Sequence, residues 1–185
     1  MKIDNKIYVA IQNNNTAILR FPAYNIETVA YIGKNGATYC KKEGDGKTPI
    51  GEFDLGLIFG THSKEEFKHK LNIKYEQINE NMYWVDDPKS KYYNTLVDST
   101  KIKQDWNSAE HLIDYPKQYE YAIEIKTNPQ NIPNKGSAIF LHCIENTYTE
   151  GCIAIDKSVM EEIIELINID KCTLGTLKMC TFISE

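Results

Sequence analysis

The sequence lacks what would carry it into a membrane or onto a polyanion. No stretch approaches the roughly 18 consecutive apolar residues of a spanning helix. Near the N-terminus the apolar run Ile7 to Ile11 has only five residues, short of the roughly 7–15 of a secretory h-region. The expectation is a protein that stays inside the cell or a chain whose leader has been removed. Positive charge is not in excess: 21 Lys and Arg are scattered among 26 Asp and Glu, for a net charge of -5, which argues against nucleic acid and anionic lipid surfaces. There is no C-x-x-C, and Cys40, Cys143, Cys152, Cys172 and Cys180 follow no zinc spacing. Their odd number leaves at least one unpaired in a monomer, and the bland expectation for those other than Cys152 is a small buried apolar residue. Repeats, low-complexity tracts and an interdomain linker are also missing. The glycine-rich stretch around "EGDGKTP" lacks the G-x-x-x-x-G-K-[ST] spacing of a phosphate loop.

What remains is an ordinary globular balance, with 42% hydrophobic and 25% charged residues over 185 positions, enough for a single domain spanning 1–185. "KIYVAIQ" and "TAILRF" flank "NNN" and predict a hairpin. "ETVAYIG" and "MYWVDD" predict strands. "KKEGDGKTPIGEFDLG" reads as a long turn-rich loop. In "YEYAIEIK", Tyr119, Tyr121, Ile123 and Ile125 alternate with charged residues, predicting a half-exposed strand. "SAIFLHC" predicts a continuous buried strand. "SKEEFKHKL" predicts a short helix with Ser63 and Glu66 as a capping box, and "DKSVMEEIIELI" a helix with Ser158 and Glu161 in the same roles. "GTLKMCTFIS" closes the chain as a strand. The fold class is mainly β with a few short helices.

The chemistry concentrates in "AIFLHCIENTYTEGCIAI". His142 stands near the end of a core strand, a rigid place from which to aim a ring. Ten positions on, Cys152 follows Thr149 and Gly151. Cysteine attacks as its thiolate, and an imidazole can take the thiol proton and later deliver it to a leaving amine. Gly151 permits unusual backbone angles and close approach of a substrate, and the N–H groups around Gly151 and Cys152 can face a developing oxyanion. Cys143, beside His142, alternates to the opposite strand face and is expected to be structural. A metal site of His142, Cys143 and Cys152 is the weakest alternative.

These residues resemble the active-site segment of the L,D-transpeptidases with the YkuD-type catalytic domain: a histidine, a gap, then Ser/Thr-x-Gly-Cys and an apolar residue, matched by His142, Thr149, Gly151, Cys152 and Ile153. "EGDGKTPIGEFDLGLIFG", "YWVDDPKSKYYN", "WNSAEHL" and "GSAIFLH" resemble one branch of that family, so the likeness covers roughly residues 40 to 170. Two positions depart from many members, which carry His where Glu150 stands and Arg where Ala154 stands. The resemblance implies a β-sandwich or barrel-like single domain and a cysteine transpeptidase acting on peptidoglycan stem peptides, donor and acceptor, without metal or organic cofactor. It implies a place in the cell envelope or outside the cell. Cys152 would attack, His142 would be the base, Gly151 and Cys152 would hold the oxyanion, and Thr149 would support the turn or bond substrate. Glu110 and His111 would contact a substrate amine or sit behind the site. Asp45 and Lys47 would contact the stem peptide, with shaping of the turn as the other reading for Asp45. An L,D-carboxypeptidase using water and a non-catalytic envelope-binding module are the alternatives.

Overall fold

The computed structural model describes residues 6–13, 15–71, 73–169 and 178–184. Its strands are β1 Lys6–Ile11, β2 Thr16–Phe21, β3 Ile26–Tyr31, β4 Ala37–Thr38, β5 Thr48–Pro49, β6 Gly51–Gly60 and β7 Tyr75–Gln77. Then come β8 Met82–Val85, β9 Leu96–Asp98, β10 Ala109–His111, β11 Ala122–Ile125, β12 Phe140–Cys143, β13 Ile153–Ile155, the helix α1 Lys157–Ile169, and β14 Lys178–Ile183.

Nine strands form one sheet in the order β11-β12-β13-β3-β2-β1-β14-β6-β7. Because β6 also pairs antiparallel with β11, eight of the nine close on themselves and β7 hangs on the outside of β6. Closure leaves those eight strands without a free edge. The fold is thus mainly β and barrel-like. A three-stranded sheet, β10-β8-β9, and the small pair β4-β5 complete it.

Strand alternation divides the apolar residues of the large sheet between two cores, and a third, smaller cluster of Val85, Val97 and Trp106 lies apart from them. Val9, Leu19, Ile58, Ile123, Leu141 and Ile153 share one cluster, joined by Met160, Ile163, Ile164 and Ile167 of α1. The i, i+3, i+4, i+7 stripe of α1 is the reason it lies there, and each such side chain buried contributes roughly 1.5–3 kcal/mol. The neighbouring residues on the same strands, Phe59, Ala122 and Phe140, turn to the other side and pack with Trp84, Leu112, Tyr119 and Cys152. So the second core lies beneath the β8-β10 sheet, and the candidate nucleophile is part of it.

Several local expectations change. "SKEEFKHKL" forms only the single 3-10 turn Lys64–Glu66, with the Glu66 carboxylate accepting the Ser63 N–H at 3.0 Å. At the start of α1 the cap is Asp156, not Ser158: its Oδ1 accepts the Ser158 N–H at 2.8 Å and its carbonyl the Met160 N–H at 3.0 Å. The "YEYAIEIK" strand starts only at Ala122, because Tyr119 sits in the 3-10 turn Gln118–Glu120 and faces the second core. Nor is it half-exposed: Ala122 and Ile123 are both fully buried, one in each core. The glycine-rich segment is a loop only to Lys47; "GEFDLG" is part of the ten-residue β6. Cys143 is buried, whereas Cys40 is exposed, against the bland expectation. Cys172 and residues 175–177 of the last predicted strand lie outside the described residues.

Candidate active site

The strand β12 runs parallel to β13 with His142 opposite Ala154. Two residues back, Cys152 therefore lies level with Phe140, and Phe140, His142 and Cys152 share one face. Cys143 points the other way, its thiol donating to the Tyr121 carbonyl at 3.6 Å, so His142, Cys143 and Cys152 are not brought together as a ligand set. Among the described residues, no group of three His, Cys, Asp or Glu is arranged to hold a metal. Cys152 and His142 both line a cavity of about 430 Å³, together with Thr149, Glu110, Tyr119 and Lys41. A larger groove of about 890 Å³ lies along Lys41–Glu43 and the 127–135 loop but contains neither Cys152 nor His142.

The turn before Cys152 is built by hydroxyls. Thr149 Oγ1 accepts the Gly151 N–H at 3.1 Å and donates to the Cys152 carbonyl at 2.7 Å. Thr48 Oγ1 donates to the Gly151 carbonyl at 2.9 Å and accepts the Gly33 N–H at 2.9 Å. Gly151 has φ +144, and a Cβ there would fall 3.0 Å from the Lys47 carbonyl oxygen and 3.1 Å from Lys41 Nζ, so the conformation favours glycine and the space for a side chain is tight. The Gly151 N–H, expected to face an oxyanion, is already committed to Thr149.

His142 is 4% exposed. Its Nδ1–H donates to the Cys143 carbonyl at 2.8 Å, which fixes the neutral tautomer with the lone pair on Nε2. The edge of Tyr119 packs on the ring at 5.7 Å and 80°. Burial pulls the imidazole down to about 4, against the opposing effect of the Cys143 carbonyl. Burial also pushes the Cys152 thiol up to about 12, and the charge of Glu110 adds to the rise. At neutral pH the resting pair is thiol and imidazole, not thiolate and imidazolium. The thiol donates to the Ala138 carbonyl at 3.2 Å and accepts the Phe140 N–H at 3.3 Å. Ala138 holds φ +51, a left-handed conformation costing a non-glycine residue about 1 kcal/mol. Its N–H donates to Asn94 Oδ1 at 3.1 Å, which helps to hold that turn.

The remaining residues singled out in the sequence separate. Glu110 forms part of the cavity wall and accepts the Tyr119 hydroxyl. Burial pushes its carboxyl up to about 7, with Asp86 adding to the rise and the Tyr119 bond opposing it. His111 does not reach the cavity: successive residues of β10 face opposite ways, and its ring stacks on Tyr83 at 4.4 Å with Nε2 against the Glu80 carbonyl at 2.8 Å. Asp45 shapes its turn, accepting the backbone N–H groups of Lys42 and Lys47 at 2.9 Å each and the ammonium of Lys41. Neither the Asp45 nor the Lys47 side chain lines the Cys152 cavity. Sequence reasoning missed Lys41, Thr48, Tyr119 and Asp86. Thr48 alone carried a signal, as a β-branched hydroxyl between the glycines and the proline of "GDGKTP".

The family model for the YkuD L,D-transpeptidase catalytic domain matches residues 2–177, nearly the whole chain. No curated protein matches it.

Proposed function

The chain belongs to the YkuD family of L,D-transpeptidase catalytic domains, and from that premise we propose that it joins peptidoglycan stem peptides in the cell envelope by acyl transfer through Cys152. Sγ adds to the carbonyl carbon of an L-centred residue of the donor stem while Nε2 of His142 takes the thiol proton. The tetrahedral intermediate collapses, the C–N bond to the terminal D-amino acid breaks, and Nε2 returns the proton to the departing amine. A thioester remains. The side-chain amine of a neighbouring stem then adds to the thioester carbon and loses a proton to Nε2. The sulfur leaves and is reprotonated, and an amide cross-link is formed.

The observation that carries this reading is the pinned tautomer. With Nδ1–H given to the Cys143 carbonyl, the basic lone pair sits on the nitrogen left for the cavity that Cys152 also lines. Because both groups rest neutral, the proton moves only as the C–S bond forms. The Cys152 N–H is assigned as the oxyanion donor, since that of Gly151 is held by Thr149. Glu110 is assigned to the acceptor amine, whose ammonium form must give up a proton before it adds.

Incubation with tetrapeptide-bearing muropeptides tests the reading. Cross-linked dimers with release of the terminal D-amino acid are expected. Trimmed tripeptides alone would make the acceptor water and the protein an L,D-carboxypeptidase. No turnover and no acyl adduct at Cys152 after exposure to the muropeptide would leave a non-catalytic binding module.

A further inference from the structure

We propose that Lys41 selects the donor by binding the free α-carboxylate of its terminal D-amino acid, beside the bond that Cys152 breaks. This rests on the acyl-transfer reading above. Lys41 is the sole Lys or Arg among the described residues lining the Cys152 cavity, and its side chain is only 9% exposed. A lysine on a loop ordinarily reaches for water, but this one is held. Its stem lies across Gly136, where an added Cβ would fall 2.7 Å from Lys41 Cγ. Its ammonium pairs with Asp45, itself fixed by two backbone N–H groups. The nitrogen ends 3.1 Å from where a Cβ of Gly151 would stand, one residue from the nucleophile.

An ammonium has three donors. Asp45 takes one, and Lys41 finds no second hydrogen-bond partner among the described residues. Of the four acids lining the cavity, three are engaged elsewhere, Glu43 with Tyr93 and Ser137, Glu150 with Lys34, and Glu110 with Tyr119. The fourth, Asp86, keeps a buried oxygen without a partner and makes no ion pair with Lys41 among the described residues. A buried cation with spare donors in a substrate cavity calls for an anion. In a peptide cut before its last residue, the free carboxylate lies within roughly 5 Å of the attacked carbon, by backbone dimensions. It is the one anion that such a substrate must bring to this spot. A carboxamide or a further residue there would remove the charge or displace it.

The test compares kcat/KM for two donor tetrapeptides, one with a free C-terminal carboxylate and one with a C-terminal carboxamide. The wild type should prefer the carboxylate by at least about tenfold, the yield of one charge-assisted hydrogen bond. Lys41→Met should lose that preference by losing rate on the carboxylate peptide, and Lys41→Arg should retain it. Since Lys41→Met strands Asp45, the double variant Lys41→Met/Asp45→Asn removes the ion pair as a unit and should behave in the same way. Absence of discrimination by the wild type overturns the proposal. So does an equal loss on both peptides in the double variant, with an unchanged melting temperature, because it would place the charge at the reacting atoms. Failure of the wild type to react with either peptide overturns the acyl-transfer reading itself.

Discussion

In the free protein, Cys152 should be a poor target for a small alkylating reagent, although it is the proposed nucleophile. Burial pushes its thiol from an ordinary 9.0 up to about 12. At pH 8 a thiol near 9 is about one tenth thiolate and a thiol near 12 about one part in ten thousand, a factor of about 1,000. The more basic thiolate is the better nucleophile, with a sensitivity of about 0.4–0.5 per pKa unit, which returns about twentyfold. The net expectation is alkylation by iodoacetamide about fiftyfold slower than that of a free cysteine peptide, before any limit on access. The rate should climb about tenfold per pH unit from pH 7 to 10 without levelling. Limiting reagent followed by peptide mapping measures this, with exposed Cys40 as the internal comparison. A plateau below pH 8, or labelling of Cys152 ahead of the free peptide, would mean a preformed thiolate–imidazolium pair and refute the reasoning from burial.

Glu110→Gln removes a negative charge that holds the Cys152 thiol up, so alkylation of Cys152 at pH 8 should quicken several-fold. No change would remove Glu110 from the electrostatics of the thiol. His142 is held at about 4 against an ordinary 6.5, so only the unfolded chain takes up its proton on acidification through that window. Its contribution is fully present above about 6.5 and is lost as pH falls toward 4, about 3 kcal/mol in all. Urea unfolding of His142→Gln should show a correspondingly flatter decline between pH 7.5 and 4.5; parallel declines would refute it. Thr48→Val leaves the Gly33 N–H and the Gly151 carbonyl without their buried partner, and should cost about 1–3 kcal/mol in unfolding free energy and impair acylation. A stability within about 0.3 kcal/mol of wild type would mean the turn closes by other bonds.

The site was legible where it follows from strand alternation and local chemistry. "SAIFLHC" reads as a core strand bearing His142, "T-x-G-C" marks Cys152 by its local chemistry, and alternation separated Cys143 from them; that Cys152 immediately precedes a strand was not read. The same rule, applied to "SAEHL", would have chosen between Glu110 and His111 had β10 been recognised as a strand. Lys41 was not legible. Nothing marks it among the lysines of "CKKEGDGK"; what distinguishes it is the gap left by Gly136, 95 residues away, and the reach of Asp45 back to it. The closure of the barrel was hidden for a related reason. The pairing of β6 with β11 and of β1 with β14 joins segments far apart in the chain, and no local pattern specifies which edges meet.

The most direct test of the account is rapid-quench intact mass of the protein mixed with a donor tetrapeptide in the absence of acceptor. The account predicts a gain equal to the donor less its terminal D-amino acid, mapped to Cys152 and absent from Cys152→Ala. Turnover of the donor that persists in Cys152→Ala, or an acyl group mapped to another side chain, would contradict it.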